Sequence, residues 1–186
     1  KDRNCLLSLK MDGLTVLLTY ENGELIQAES RGNGEEGELI THNAKVFENI
    51  PLKIDYKGRL EIEGEAIITY DSFEEINSKL SEDTKYKNPR NLVSGSVRQL
   101  DSSITAQRNV RFYAFSLVSA ENTEFENSRK EQFRFLQKQG FDVVEYYEVN
   151  SANLIEMVDL FADKIKTFDI PSDGLVMIFD DIAYGQ

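Results

Sequence analysis

Two alternating apolar runs, Leu14–Glu21 and Glu24–Ser30, meet at Asn22-Gly23. Asn-Gly supplies the two positive-φ residues of a tight type I′ turn, so the runs are expected to fold back on each other as an antiparallel hairpin. A chain with such a hairpin near its start is neither a helical bundle nor an all-parallel sheet. Residues 6–10 read as a strand before the hairpin, and residues 60–70 as a long strand after it. Arg31-Gly32-Asn33-Gly34 is a turn rich in residues that tolerate positive φ. Residues 37–50 read as a weak helix stopped by Pro51. Asp71-Ser72 is expected to cap a helix running through Leu80, with Phe73, Ile76 and Leu80 on one face. A polar loop over 85–91, around Asn88-Pro89, leads to a short helix starting within 92–100 and an aromatic strand over 110–118. An amphipathic helix over 125–139 is closed by Gly140, followed by a strand over 142–149 and a helix over 151–168. Residues 175–179 form a last, buried strand. Hairpins and helices thus alternate between strands, which makes the fold class α+β.

The composition limits the setting. The chain has 186 residues, 40% of them hydrophobic, with 11 Phe and 8 Tyr, enough for one globular domain with an aromatic core. No run approaches the ~20 apolar residues of a membrane span, so a soluble protein with no membrane contact is expected. One cysteine (Cys5) and one histidine (His42) leave no internal disulfide framework and no His/Cys zinc site, which points to a reducing, cytoplasmic compartment. With 21 basic against 33 acidic residues the net charge is −12, so the overall field cannot hold nucleic acid. A local exception exists: Lys85, Lys87, Arg90 and Arg98 follow one another with no acidic residue between Asp83 and Asp101. The chain starts at Lys1 and stops at Tyr184-Gly185-Gln186, just after a strand-like run, and both ends read as cut from a longer protein.

Lys10-Met11-Asp12-Gly13 admits two readings, a surface lysine before an Asp-Gly turn or a lysine nucleophile at a strand end. Other segments bear on the choice: Arg31 in its Gly-rich turn, Glu61-Ile62-Glu63-Gly64-Glu65, Asn88-Pro89-Arg90-Asn91 followed by Ser94-Gly95-Ser96-Val97-Arg98-Gln99-Leu100-Asp101, and Asp173-Gly174-Leu175-Val176. On the strand over 110–118, Tyr113 and Phe115 share one face and Phe112 takes the other. In this order the segments closely resemble the nucleotidyltransferase (adenylation) domain of bacterial NAD-dependent DNA ligases. The resemblance covers nearly the whole chain, and its most specific stretch is N-P-R-N…G-S-x-R-Q-L-D.

The resemblance implies the ATP-grasp-like nucleotidyltransferase fold of ligase adenylation domains, α+β, with antiparallel or mixed sheets and flanking helices. It implies that Lys10 attacks the α-phosphorus of NAD, releases nicotinamide mononucleotide and carries AMP as a phosphoramidate. A lysine must lose its proton to do so, helped by nearby positive charge or desolvation. By the same resemblance Asp12 shapes the turn and takes part in catalysis. Ser8, Leu9, Phe115 and Val176 fall at the nucleotide, with Phe115 stacking on adenine. Arg31 binds the ribose and nucleotide side, Glu65 accepts from a ribose hydroxyl, and Arg90 and Arg98 meet nucleotide phosphates and the DNA nick. Magnesium, NAD or AMP, and nicked DNA are the implied partners of a monomeric enzyme of replication and repair. No dedicated carboxylate cage for the metal is legible.

Three positions depart from the pattern. Ser8 stands where the family has an acidic residue, Glu63 where it has an arginine, and Ile178 where the D-G-V-V-x-K motif ends in lysine. They point to a divergent secondary ligase, and they leave open a catalytically impaired paralogue that binds adenine nucleotide or nicked DNA without turnover. An ATP- or GTP-using relative and a structural adaptor are less well supported. The chain is expected to be a fragment without the subdomain for nicotinamide mononucleotide and the OB-fold, zinc and helix-hairpin-helix parts, and so unable to seal a nick alone.

Overall fold

A computed structural model describes residues 4–32, 37–125 and 127–182. Asn33 and Gly34 of the expected turn, and the terminal Tyr184 to Gln186, lie outside the described residues. Seven strands form two antiparallel sheets. β1 (Cys5–Met11) is the centre of a three-stranded sheet, ordered β6 (Tyr146–Val149), β1, β7 (Ser172–Phe179). β2 (Leu14–Glu21) and β3 (Glu24–Ser30) join β4 (Leu60–Ile67) and β5 (Arg111–Ala120) in a four-stranded sheet, ordered β3-β2-β4-β5. β1 and β2 are consecutive in sequence but belong to different sheets, so the chain crosses from one sheet to the other at Asp12-Gly13.

The hairpin forms as its sequence dictates. Asn22 and Gly23 take φ of 52° and 78°, and Glu21 pairs with Glu24. Alternation on β4 sends Leu60, Ile62 and Ala66 into the main core, where they pack with Val16, Leu18, Tyr20, Leu92, Val93 and Phe112. The odd positions Glu61, Glu63 and Glu65 take the opposite face. Gly64 keeps the β4–β5 approach close, since a Cβ there would meet the Phe112 ring at 2.3 Å. A second cluster (Leu7, Leu9, Val149, Phe161) lies between the three-stranded sheet and helix α6 (Leu154–Thr167). A third (Met11, Ile67, Val144) fills the seam between the sheets. Residues 142–144 stitch that seam: the Ala114 N–H donates to Asp142 O and the Val144 N–H to Ala114 O, both at 2.9 Å. Among the described residues no helix is long and apolar enough to cross a membrane.

Several sequence expectations change. The helix over 37–50 shrinks to one turn, α1 (Thr41–Ala44), because residues 38–40 are drawn alongside β3: the Ser30 N–H donates to Glu38 O and the Ile40 N–H to Ala28 O. The strand expected over 60–70 stops at Ile67. Thr69, rather than Asp71 or Ser72, caps α2 (Tyr70–Ser78) by accepting from the Ser72 N–H. Asn88-Pro89 is not mid-loop but the start of α3 (Pro89–Ser96), with the Asn88 side chain accepting from the Asn91 N–H and Pro89 in the first turn. Another short helix, α4 (Ser102–Ala106), was not anticipated; Asp101 caps it. α5 (Arg129–Lys138) follows its Ser128 cap and begins at Arg129, four residues later than expected, and Gly140 takes φ 101° beyond its end. Strand β6 keeps only the second half of the run over 142–149, because 142–144 is spent on the seam. β7 is an edge strand rather than a buried one, with Met177 54% exposed.

The Asn-Pro-Arg-Asn helix is anchored by a buried amide. Asn43 Nδ2 donates to the carbonyls of Val97 (2.6 Å) and Gln99 (2.8 Å), and the Thr105 hydroxyl reaches Asn43 Oδ1 at 2.9 Å and Ser96 O at 2.7 Å. Asn43→Ala strips the buried Val97 carbonyl of its donor and removes one of two partners of the Gln99 carbonyl, and should lower stability by about 1–3 kcal/mol, read from urea unfolding. Wild-type stability in that variant contradicts the network's role.

Candidate active site

The site is built where the chain changes sheets. β1 alternates, so Ser8 and Lys10 face away from α6 while Leu7 and Leu9 pack beneath it. The β1–β7 register slips between Lys10 and Met11, and the Asp12 N–H donates to Pro171 O at 2.8 Å, turning the chain out of the first sheet. Gly13 then passes so close to β4 that a Cβ would lie 2.0 Å from Ala66 O, an approach open to glycine alone. Glu65 fastens this crossing. Its Oε2 accepts from the Gly13 N–H at 3.0 Å and its Oε1 from the Thr15 hydroxyl at 2.8 Å.

Burial pushes the Glu65 carboxyl above the ordinary glutamate range. The bonds from Thr15 and Gly13 pull it back, and the nearby charges of Asp12 and Asp173 push it up again.

Two cavities meet at this crossing. One of about 290 Å³ is lined by Lys10, Thr15 and Glu65 on its polar side and by Phe115, Phe133, Val144, Val176 and Ile178 elsewhere, with Ser8, Leu9 and Met11 along β1. Its volume is at the lower edge of small-molecule sites. Leu9 contributes main chain, since its side chain lies in the cluster under α6. The Lys10 side chain is exposed and makes no ion pair or hydrogen bond among the described residues. The second cavity, about 590 Å³, is lined by Ser30, Arg31, Glu38, Arg90, Ser94 and Arg98, together with Gly13, Leu14, Thr15 and Gly32. Thr15 belongs to both walls. Arg90 Nε lies 3.2 Å from Asp12 Oδ1, and Arg98 Nε 3.0 Å from Glu38 Oε2. Among the described residues no group of three His, Cys, Asp or Glu side chains is placed to hold a metal ion.

The positions singled out in the sequence therefore sort into two neighbouring sets. Ser8, Leu9, Lys10, Glu65, Phe115 and Val176 share the first cavity; Arg31, Arg90 and Arg98 share the second; Asp12 sits at the crossing, paired with Arg90. Lining residues that sequence reasoning missed are Thr15, Phe133, Val144, Glu38 and Ser94. Thr15 reaches the site because it pairs directly with Glu65 in the β2–β4 register, a long-range pairing with no local signal. Phe133 on α5 and Val144 in the seam carry no local signal.

Because the folded state holds the Glu65 proton more tightly than the unfolded chain, this carboxyl favours folding at acid pH. That contribution is lost as pH rises from the ordinary glutamate range through its raised value. The difference in Tm between the native chain and Glu65→Gln should therefore fall as pH rises from the ordinary glutamate range through the raised value; a pH-independent difference contradicts the assignment. Thr15→Val removes a donor to the charged form and should raise the Glu65 titration further, read by carboxyl ¹³C NMR.

Comparison with known proteins follows the same lines. The family model described as "NAD-dependent DNA ligase adenylation domain" matches residues 1–186. A DNA ligase of Ruminiclostridium cellulolyticum is 55% identical over 182 residues, 97% of this chain and 28% of that protein. A DNA ligase of Lachnoclostridium phytofermentans is 56% identical over the same length and shares of each chain. The chain thus spans 28% of the length of these curated relatives. Among solved structures, one titled "mycobacterial DNA ligase D complexed with ATP and MES" superposes with a TM-score of 0.55 at 16% identity, over 96% of this chain and 49% of that one, a likeness of fold alone.

Proposed function

We infer the function from one premise: the chain belongs to the family of NAD-dependent DNA ligase adenylation domains. Its role is the adenylation step of a DNA ligase. We propose that Lys10 Nζ attacks the α-phosphorus of NAD, that a P–N bond forms while the P–O bond to nicotinamide mononucleotide breaks, and that this leaving group departs with the electron pair. The lysyl-AMP then passes AMP to the 5′-phosphate of a nick in duplex DNA, restoring the amine. The observation that carries this reading is the shared cavity: Lys10 and Glu65 line one wall of an otherwise apolar and aromatic slot, with an arginine-lined cavity on the far side of Thr15.

Within this reading the base lies among Ser8, Phe115 and Val176, with the Leu9 main chain behind it. Glu65 accepts from a ribose hydroxyl, for which its carboxylate has unused lone pairs beyond the bonds from Gly13 and Thr15. Arg31, Arg90 and Arg98 meet phosphates of the dinucleotide or of the nick, and Asp12 orients Arg90. Asp12 and Asp173 are the carboxylates near Glu65 that would help the substrate phosphates hold a magnesium ion, which would supply neutralisation of phosphate charge. The full-length protein is read as a cytoplasmic monomer serving replication and repair, with the remaining ligase parts outside this chain.

One observation favours a second reading, a paralogue that binds adenine nucleotide or nicked DNA without turnover. Ile178 places an apolar side chain in the cavity wall, leaving Lys10 its only cationic lining residue among those described. Intact-mass analysis of the full-length protein with magnesium and either NAD or ATP decides. An AMP adduct from NAD alone, lost in Lys10→Ala, is expected. Binding of AMP without an adduct establishes the second reading, and an adduct from ATP overturns the NAD assignment.

A further inference from the structure

The apolar part of the first cavity contains one polar side chain. Ser8 is 6% exposed, lines the cavity, and its hydroxyl has no hydrogen-bond partner among the described residues. Around it stand Phe115 from β5, Phe133 from α5, Val144 from the seam, and Val176 and Ile178 from β7. Ser8 pairs with Val176 on one side and with Tyr146 on the other, so the β1 main chain is occupied along both edges of the strand. The Leu9 N–H points to Glu145 O at 3.4 Å. The other polar lining groups lie at the crossing: Glu65 and Thr15 are bonded to each other, and Lys10 is the proposed nucleophile.

A flat heteroaromatic ring entering between phenyl and valine side chains brings polar edge atoms with it, and those must find a partner or lose hydration uncompensated. The partner on offer is a hydroxyl, and a hydroxyl rotates to donate or to accept. An amino group and a ring oxo group at the same edge position can therefore both be satisfied. A carboxylate would accept only, and an ammonium would donate only; neither Ser8 nor Ile178 supplies such a one-way group.

We propose that Ser8 is the side chain that reads the base edge in this cavity, and that the slot accepts 6-amino and 6-oxo purines with little distinction. The inference rests on the adenylation reading above and deepens it by widening the substrate class from NAD to purine dinucleotides of both kinds.

The test uses the full-length protein with NAD and with its hypoxanthine counterpart, nicotinamide hypoxanthine dinucleotide, and follows AMP and IMP adducts on Lys10 by intact mass under single-turnover conditions. The two rates are expected to agree within about tenfold, the scale of one hydrogen bond. Ser8→Asp, an acceptor only, should raise the preference for the amino form by more than tenfold, while Ser8→Ala should slow both substrates alike. A preference for NAD of a hundredfold or more in the native protein overturns the proposal, as does an unchanged ratio in Ser8→Asp. If Ser8→Asp does not fold, the native ratio decides alone. If neither dinucleotide gives an adduct, the turnover reading fails and calorimetric binding of AMP against IMP takes its place. Similar affinities uphold the proposal; a hundredfold difference, or binding of neither, overturns it.

Discussion

The structure turns on one carboxylate. Glu65 accepts from the Gly13 amide and from the Thr15 hydroxyl, and so ties β4 to the short link that carries the chain from one sheet to the other. Lys10 lies two residues before that link, and Arg31 is held beside the link through its N–H to Thr15 O at 2.7 Å. The positions of the amine and of the arginine-lined cavity thus follow from a single buried anchor. Burial penalises the charged carboxylate, and its two donors compensate in part, so the anchor is strained toward protonation. That is the condition in which a further hydroxyl donor, such as a ribose, is stabilising, because each added bond favours the ionised form.

On the proposed function, an acidic domain that meets phosphate anions has to gather its cations. Here the net charge is −12, yet Arg31, Arg90 and Arg98 line one cavity of about 590 Å³. Two of them are held by carboxylates, Arg90 by Asp12 and Arg98 by Glu38, and both pairs are about half-exposed. Exposed ion pairs contribute only about 0–1 kcal/mol, so a phosphate can take over either arginine at small cost. The carboxylates keep the guanidinium groups facing the cavity and yield readily to a bidentate oxyanion.

Much of this was legible in the sequence wherever a short segment fixes its own conformation. Asn22-Gly23 specified the hairpin, and the periodicity of β4 placed Glu61, Glu63 and Glu65 on one face. The Lys10-x-Asp12-Gly13 segment marked a turn after the first strand, but not that the turn crosses between sheets with Gly13 against Ala66 O. Long-range pairing was not legible. Nothing in residues 37–50 shows that 38–40 will lie beside β3, and the Asn88-Pro89 signal is ambiguous between a turn and a helix start until Asn43 is seen to hold the far end of α3. Phe133 and Val144 reach the cavity because distant elements pack together, so no local pattern announces them.

The division of the site into two cavities assigns different work to each. Away from Lys10, Thr15 and Glu65 at the crossing, the smaller one supplies apolar surface and the Ser8 hydroxyl, which suits a planar ring. Ile178 sharpens the contrast, for it leaves Lys10 the one cationic residue lining this cavity among those described. In the reaction proposed for Lys10, stabilisation of charge at the phosphorus centre would then fall to the three arginines across Thr15. Thr15 is consequently the partition on which the chemistry depends. Its hydroxyl orients the carboxylate of one cavity, its carbonyl holds the Arg31 backbone of the other, and on the proposed reading Lys10 stands at the rim between them.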